Sequence, residues 1–247
     1  MTGADGSESE ATAKATAADG SEIGVDGGPP LALVIGAGPG VGAAVARRFG
    51  QAGYDVSLVA RDATRLDALG SQLQSEGITT GWTAVDITDE GDFAAAVRRF
   101  GERSGRIDVL HFNPSVTTMK DGLALAPAEL LRDVHIGVAA LLTAVQAARP
   151  YLPSGARVTA TGSMSADVPW AAAASLGVQK AGLRSLVGAL DETLHPLGVR
   201  AMTLTVRGVV DPGTKFAPNR IADALFRAAA TPDRDWRTDV PYPDPAA

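Results

Sequence analysis

Two rhythms of apolar residues alternate along the chain. Short apolar-rich segments that fit buried strands occupy 31–35, 54–60, 78–87, 106–113, 156–161, 199–206 and 238–242. Between them, apolar residues recur at helical spacing. The segment 61–77 carries Leu66, Leu69 and Leu73 on one stripe, and 90–103 carries Phe93, Ala96, Val97 and Phe100. A longer helix is expected over 127–148, with Leu130, Leu131, Val134, Val138, Leu141, Leu142 and Val145 inward. Further helices are expected over 170–195 and 218–229. Strands joined by helices run parallel with right-handed crossovers. The pattern predicts an α/β fold, a single doubly wound parallel sheet with helices on both faces and ligand at the carboxyl ends of its strands.

The stretch 31–49, LALVIGAGPGVGAAVARRF, sharpens that prediction. The apolar run ends in glycines at 36, 38, 40 and 42, and Ala43, Ala44, Val45, Ala46 and Phe49 then resume at helical spacing. A strand, a glycine turn and a helix N-terminus let backbone N–H groups approach a dinucleotide pyrophosphate where the helix dipole favours negative charge. A second strand follows at 54–60, the context that such a motif requires. The domain is therefore expected to be of Rossmann type and to span 31–247. Residues 1–30 are set apart as an acidic tail, with Asp5, Glu8, Glu10, Asp19, Glu22 and Asp26 against Lys14. That tail is poor in large apolar residues and is expected to be disordered.

Composition narrows the functional classes. The chain of 247 residues has no cysteine, which excludes disulfide scaffolds and thiolate-bound metals, and its 3 histidines show no metal-ligand spacing. The net charge of −6 argues against a nucleic-acid partner. No apolar stretch is long enough to span a membrane, and the N-terminus shows no apolar signal region. A cytoplasmic protein that acts on a small molecule, with no membrane or metal involved, is the expectation.

Over about 31–242 the residues resemble the short-chain dehydrogenase/reductase family. Gly36, Gly40 and Gly42 match that family's glycine turn. Asp86, in AVDITD, resembles its aspartate near the adenine, and Asn113 its second asparagine after the fourth strand, although Pro114 and Ser115 follow here. Ser163 and Lys180 match the spacing of its catalytic serine and lysine. The resemblance implies cofactor contacts from Gly36, Gly38, Gly40, Val41, Gly42, Arg61, Asp86, Ile87, Asn113, Lys180, Gly208 and Val209. The acid that selects NAD in the family falls on Ala60, which has no carboxylate, and Arg61 follows it. A guanidinium there can pair with a 2′-phosphate, so NADP(H) is expected over NAD(H). Apolar faces of the long helices resemble those through which the family forms homodimers and homotetramers.

One member of the resemblance is missing. The family's tyrosine, four residues before the lysine, aligns with Leu176, and the chain's 3 tyrosines, Tyr54, Tyr151 and Tyr242, lie elsewhere. The helix asparagine near the lysine aligns with His135, which makes His135 a candidate substitute acid beside Ser163 and Lys180. The resemblance implies an NADP(H)-dependent oxidoreductase with an altered proton relay. A redox-neutral enzyme on the same scaffold (dehydratase, isomerase or cyclase) and a non-catalytic nucleotide sensor are the alternatives.

Overall fold

A computed structural model describes residues 28–244. The expected tail lies, as far as residue 27, outside the described residues. Seven strands alternate with helices: β1 (Leu31–Ile35), α1 (Val41–Gln51), β2 (Asp55–Ala60), α2 (Ala63–Ser75), β3 (Thr80–Ala84), α3 (Glu90–Ser104), β4 (Val109–Phe112), α4 (Pro127–Val134), α5 (Ala140–Ala148), β5 (Arg157–Ser163), α6 (Ala174–Leu194), β6 (Arg200–Val206), α7 (Pro218–Ala229) and β7 (Asp239–Tyr242). The strands form one parallel sheet in the order β3-β2-β1-β4-β5-β6-β7. The chain order reverses between β1 and β4, which opens a crevice at the carboxyl ends of those two strands.

Each face of the sheet has its own core. On one, Phe93 of α3, Leu141 of α5 and Leu183 of α6 pack against Leu33, Leu110 and Val158. On the other, Phe49 of α1, Leu66 of α2 and Leu225 of α7 pack against Val34, Leu58 and Leu204. Polar chemistry sets the helix ends. Asp62 accepts from the Arg65 N–H at 3.0 Å and Asp89 from the Asp92 N–H at 3.1 Å, capping α2 and α3. The carboxylate of Asp191 on α6 takes the Arg200 guanidinium through two bonds (2.7 and 2.9 Å) and the Ala201 N–H (2.7 Å), which fastens α6 to β6 inside the protein.

The structure corrects the expected long helix over 127–148. It is interrupted by a π turn over His135–Ala139, a widened segment that changes the helical phase. Leu131 and Leu142 face outward, 69% and 38% exposed. On α4 the buried position belongs instead to Asp133, whose carboxylate accepts the Ser175 hydroxyl at 2.7 Å. The expected helix over 170–195 starts later, because Ala171–Ala173 is a 3-10 turn before α6. The expected strand over 78–87 stops at Ala84, leaving Asp86 and Ile87 beyond its end.

Candidate active site

The glycine turn between β1 and α1 is shaped by close backbone approaches. Gly36 adopts φ +79°, and a Cβ there would lie 2.9 Å from the backbone nitrogen of Pro114. Gly42, in the first turn of α1, passes so near that a Cβ would sit 2.4 Å from the Gly36 carbonyl oxygen. Gly38 and Gly40 have open space beyond their α-carbons. Beside the turn lies a cleft of about 590 Å³, lined among others by Gly38, Arg61, Asp86, Ile87, Asn113 and Val116. A glycine cradle at a helix N-terminus, open on the ligand side and closed on the protein side, fits a dinucleotide.

At one end of the cleft, Arg61 is exposed and has no ion-pair partner among the described residues. The neighbouring Asp62 is engaged by Arg65, Nε to Oδ2 at 3.2 Å, and Arg65 also lines the cleft. Hydrogen bonds from the backbone and hydroxyl of Thr88 hold the Asp86 carboxyl below its usual range, helped by the nearby charge of Arg61.

At the other end, a partly buried hydrogen-bond chain runs across the ends of β4 and β5. Asn113 Nδ2 donates to the Gly36 carbonyl at 3.0 Å, and the Thr161 hydroxyl donates to Asn113 Oδ1 at 2.8 Å. With that proton committed, His111 Nε2 is the donor in its 3.4 Å contact with Thr161 Oγ1. His111 Nδ1 then accepts from Thr159 Oγ1 at 3.0 Å. Burial, with Lys180 nearby, pushes the His111 pKa down to about 3, so the ring is neutral. Lys180 reaches from α6 to donate to the Thr161 carbonyl oxygen at 2.9 Å, and burial lowers its pKa to about 8. Ser163 ends β5 two residues later, its hydroxyl 3.3 Å from Ser165 Oγ.

The sequence-predicted residues are thus brought together in part. Gly36, Gly38, Asn113, Arg61, Asp86 and Ile87 line one cleft, and Gly40, Val41 and Gly42 form the start of the helix beside it. Ser163 and Lys180 lie at the same carboxyl edge, outside the lining of that cleft. Gly208 and Val209 follow β6. A Cβ on Gly208 would meet the Phe216 ring at 2.3 Å, and Val209 is 84% exposed. His135 opens the π turn; its Nε2 is buried, lies 3.6 Å from Glu90 Oε1 on α3 and has no hydrogen-bond partner among the described residues.

Leu176 stands one turn before Lys180 on α6. The three tyrosines are engaged elsewhere. Tyr54 packs edge-on against Phe49, Tyr151 reaches Glu102, and Tyr242, at the end of β7, donates to the Lys215 carbonyl at 2.7 Å. Sequence reasoning missed Arg65, one helical turn beyond Arg61, a spacing that was open to view. It also missed Gln179, Thr161 and the part played by His111, whose partners come from distant strands.

The family model for short chain dehydrogenases matches residues 30–221. The chain is 32% identical over 177 residues to serine 3-dehydrogenase of Agrobacterium fabrum, covering 70% of this chain and 69% of that one. It is 28% identical over 198 residues to tropinone reductase-like 3 of Erythroxylum coca, covering 80% and 73%. Among solved structures, a metagenomic short-chain oxidoreductase in complex with NADP superposes with a TM-score of 0.76 at 26% identity, over 85% of this chain and 95% of that one. A glycine cradle on a seven-stranded parallel sheet, matched along most of its length, makes this chain a member of the short-chain dehydrogenase family.

Proposed function

We propose that this chain is an NADP(H)-dependent oxidoreductase acting on a small molecule, with Lys180 handling the proton that a tyrosine handles elsewhere in the family. The family uses NAD or NADP. Arg61, without an ion-pair partner among the described residues, and Arg65 on the same cleft suit a 2′-phosphate, while Ala60 offers a ribose hydroxyl no carboxylate. The structure of a relative in complex with NADP agrees with that choice.

Lys180 carries the catalytic reading. The residue is buried, and its ammonium is tied to the carbonyl of Thr161, two residues before Ser163. When bound, the reduced nicotinamide supplies hydride. In this reading Ser163 Oγ would hold a substrate oxygen, and Lys180 Nζ would deliver a proton to it or take one back. A lysine poised near neutrality is a competent acid, and Leu176 carries no proton at all. Leu176 also favours a second reading, in which the nucleotide is bound and hydride stays on it. Outward apolar residues on α4, α5 and α6 (Leu131, Leu142 and Val178) support a homodimer or homotetramer.

The test pairs NADPH and NADH titrations with a turnover screen against carbonyls, imines and enones. Consumption of NADPH on any of them supports the oxidoreductase reading. Tight NADPH binding with no consumption on all of them overturns it in favour of the second. Leu176→Tyr should raise activity if the site lacks nothing but the usual donor.

A further inference from the structure

Gln179 immediately precedes Lys180 on α6 and is wholly buried. Its carboxamide makes a two-point pairing with the backbone of one residue of the β4–α4 loop: Nε2 donates to the Val116 carbonyl at 2.9 Å, and Oε1 accepts the Val116 N–H at 3.3 Å. Among the described residues, the backbone of 114–117 makes no other hydrogen bond. That stretch supplies Pro114, Ser115 and Val116 to the cleft wall. On its other side the carboxamide is pressed against Gly137 in the π turn, where a Cβ would lie 2.5 Å from Oε1. Ile136, next to Gly137, lines the same cleft. One rigid side chain therefore spans from the neighbour of Lys180 to two separate pieces of the wall.

We infer that Gln179 is a positioning residue for the nicotinamide half of the nucleotide site: it holds the Val116 backbone, and so the 114–116 wall, in register with Lys180. This rests on the nucleotide-binding reading above. An apolar residue at 179 fills the same space but leaves the loop without its anchor, so the wall drifts while the helix stays. The adenine end, at Arg61 and Asp86, is built on β2 and the segment after β3 and does not depend on Gln179.

The experiment compares NADPH with adenosine 2′,5′-bisphosphate, a probe of the adenine end alone, by titration of wild type, Gln179→Ala and Gly137→Ala. Gln179→Ala should raise the Kd for NADPH about tenfold while leaving the bisphosphate within about twofold. Gly137→Ala crowds Oε1 from the opposite side and should reproduce that split without altering the carboxamide, even if the first variant fails to fold. Amide exchange at Val116 should quicken in both. Equal weakening of the two ligands, or unchanged NADPH affinity in a folded variant, overturns the positioning role. A wild-type chain that binds neither ligand overturns the nucleotide reading, and this proposal with it.

Discussion

Lys180 Nζ and the Thr161 carbonyl oxygen are 2.9 Å apart, and the Thr161 hydroxyl points its proton the other way, to Asn113. One threonine at the end of β5 thus fixes the lysine on one side and, through Asn113, the carbonyl of the glycine turn on the other.

If Lys180 delivers the proton, NADPH-dependent reduction needs its charged form. Its folded-state pKa of about 8 lies below the usual lysine value. The rate should therefore be highest below that pH and fall as pH rises through it. Lys180→Met should lower kcat/KM by about 10²–10⁴-fold and remove the limb, and Lys180→Arg should shift the limb upward out of range. Profiles of kcat/KM from pH 6 to 10 decide this, and a limb unchanged in Lys180→Arg excludes the lysine as donor.

Cofactor choice should depend on Arg61. Replacing it with alanine should weaken NADPH roughly 10–100-fold, the scale of a charge-assisted hydrogen bond at a partly exposed site, with NADH changed by less than about twofold. Arg65→Ala should act in the same direction but less, since that guanidinium is already shared with Asp62. Parallel titrations with both cofactors measure the difference. Equal losses would remove the 2′-phosphate role.

His111 should make the protein acid-sensitive. Its pKa is near 3 in the fold and about 6.5 unfolded, so below pH 6.5 the unfolded chain takes up a proton that the folded one refuses. Stability is lost as pH falls from 6.5 toward 3, at about 1.4 kcal/mol per pH unit, or about 2 kcal/mol by pH 5. His111→Gln should flatten that slope by one proton in urea melts at pH 5 and 7.

Two glycines of the turn should respond differently to alanine. Gly42→Ala drives a methyl into the Gly36 carbonyl and should cost about 1–3 kcal/mol of stability. Gly38→Ala points into open space and should leave stability within about 0.5 kcal/mol while weakening NADPH binding. Thermal melts beside NADPH titrations separate the two effects.

Much of the architecture was legible because it rests on local signals. The apolar run at β1 is uninterrupted, β2 and β6 keep apolar residues around a few polar ones, and glycines 36 and 42 announce a tight turn whose geometry admits no side chain. What stayed hidden depends on phase and on distant partners. A helix pattern read at constant period cannot anticipate the π turn at His135–Ala139, which turns His135 toward Glu90. Nor does a stripe of leucines reveal that Asp133 takes the inward position on α4, because its partner Ser175 belongs to another helix. His111 looked like a strand residue. Its neutrality is set by burial beside Lys180 and its tautomer by Thr159 and Thr161, which reach it only when β5 has paired with β4. Gln179 gave no sequence signal, since its meaning lies in the backbone of one residue of a loop far upstream.

The bond from Asn113 to the Gly36 carbonyl joins residues 77 positions apart. The glycine turn is therefore not finished by the segment that encodes it. A nascent chain that has emerged only through β2 and β3 holds every glycine of the motif, yet the strand that braces the turn has still to be made. Because β4 must insert beside β1, and β5 beside β4, loop closure over long stretches precedes a competent cradle, the kind of non-local pairing that slows folding. N-terminal fragments that stop before Thr161 should retain the motif and fail to capture nucleotide, making ligand binding a report on late assembly of the whole sheet.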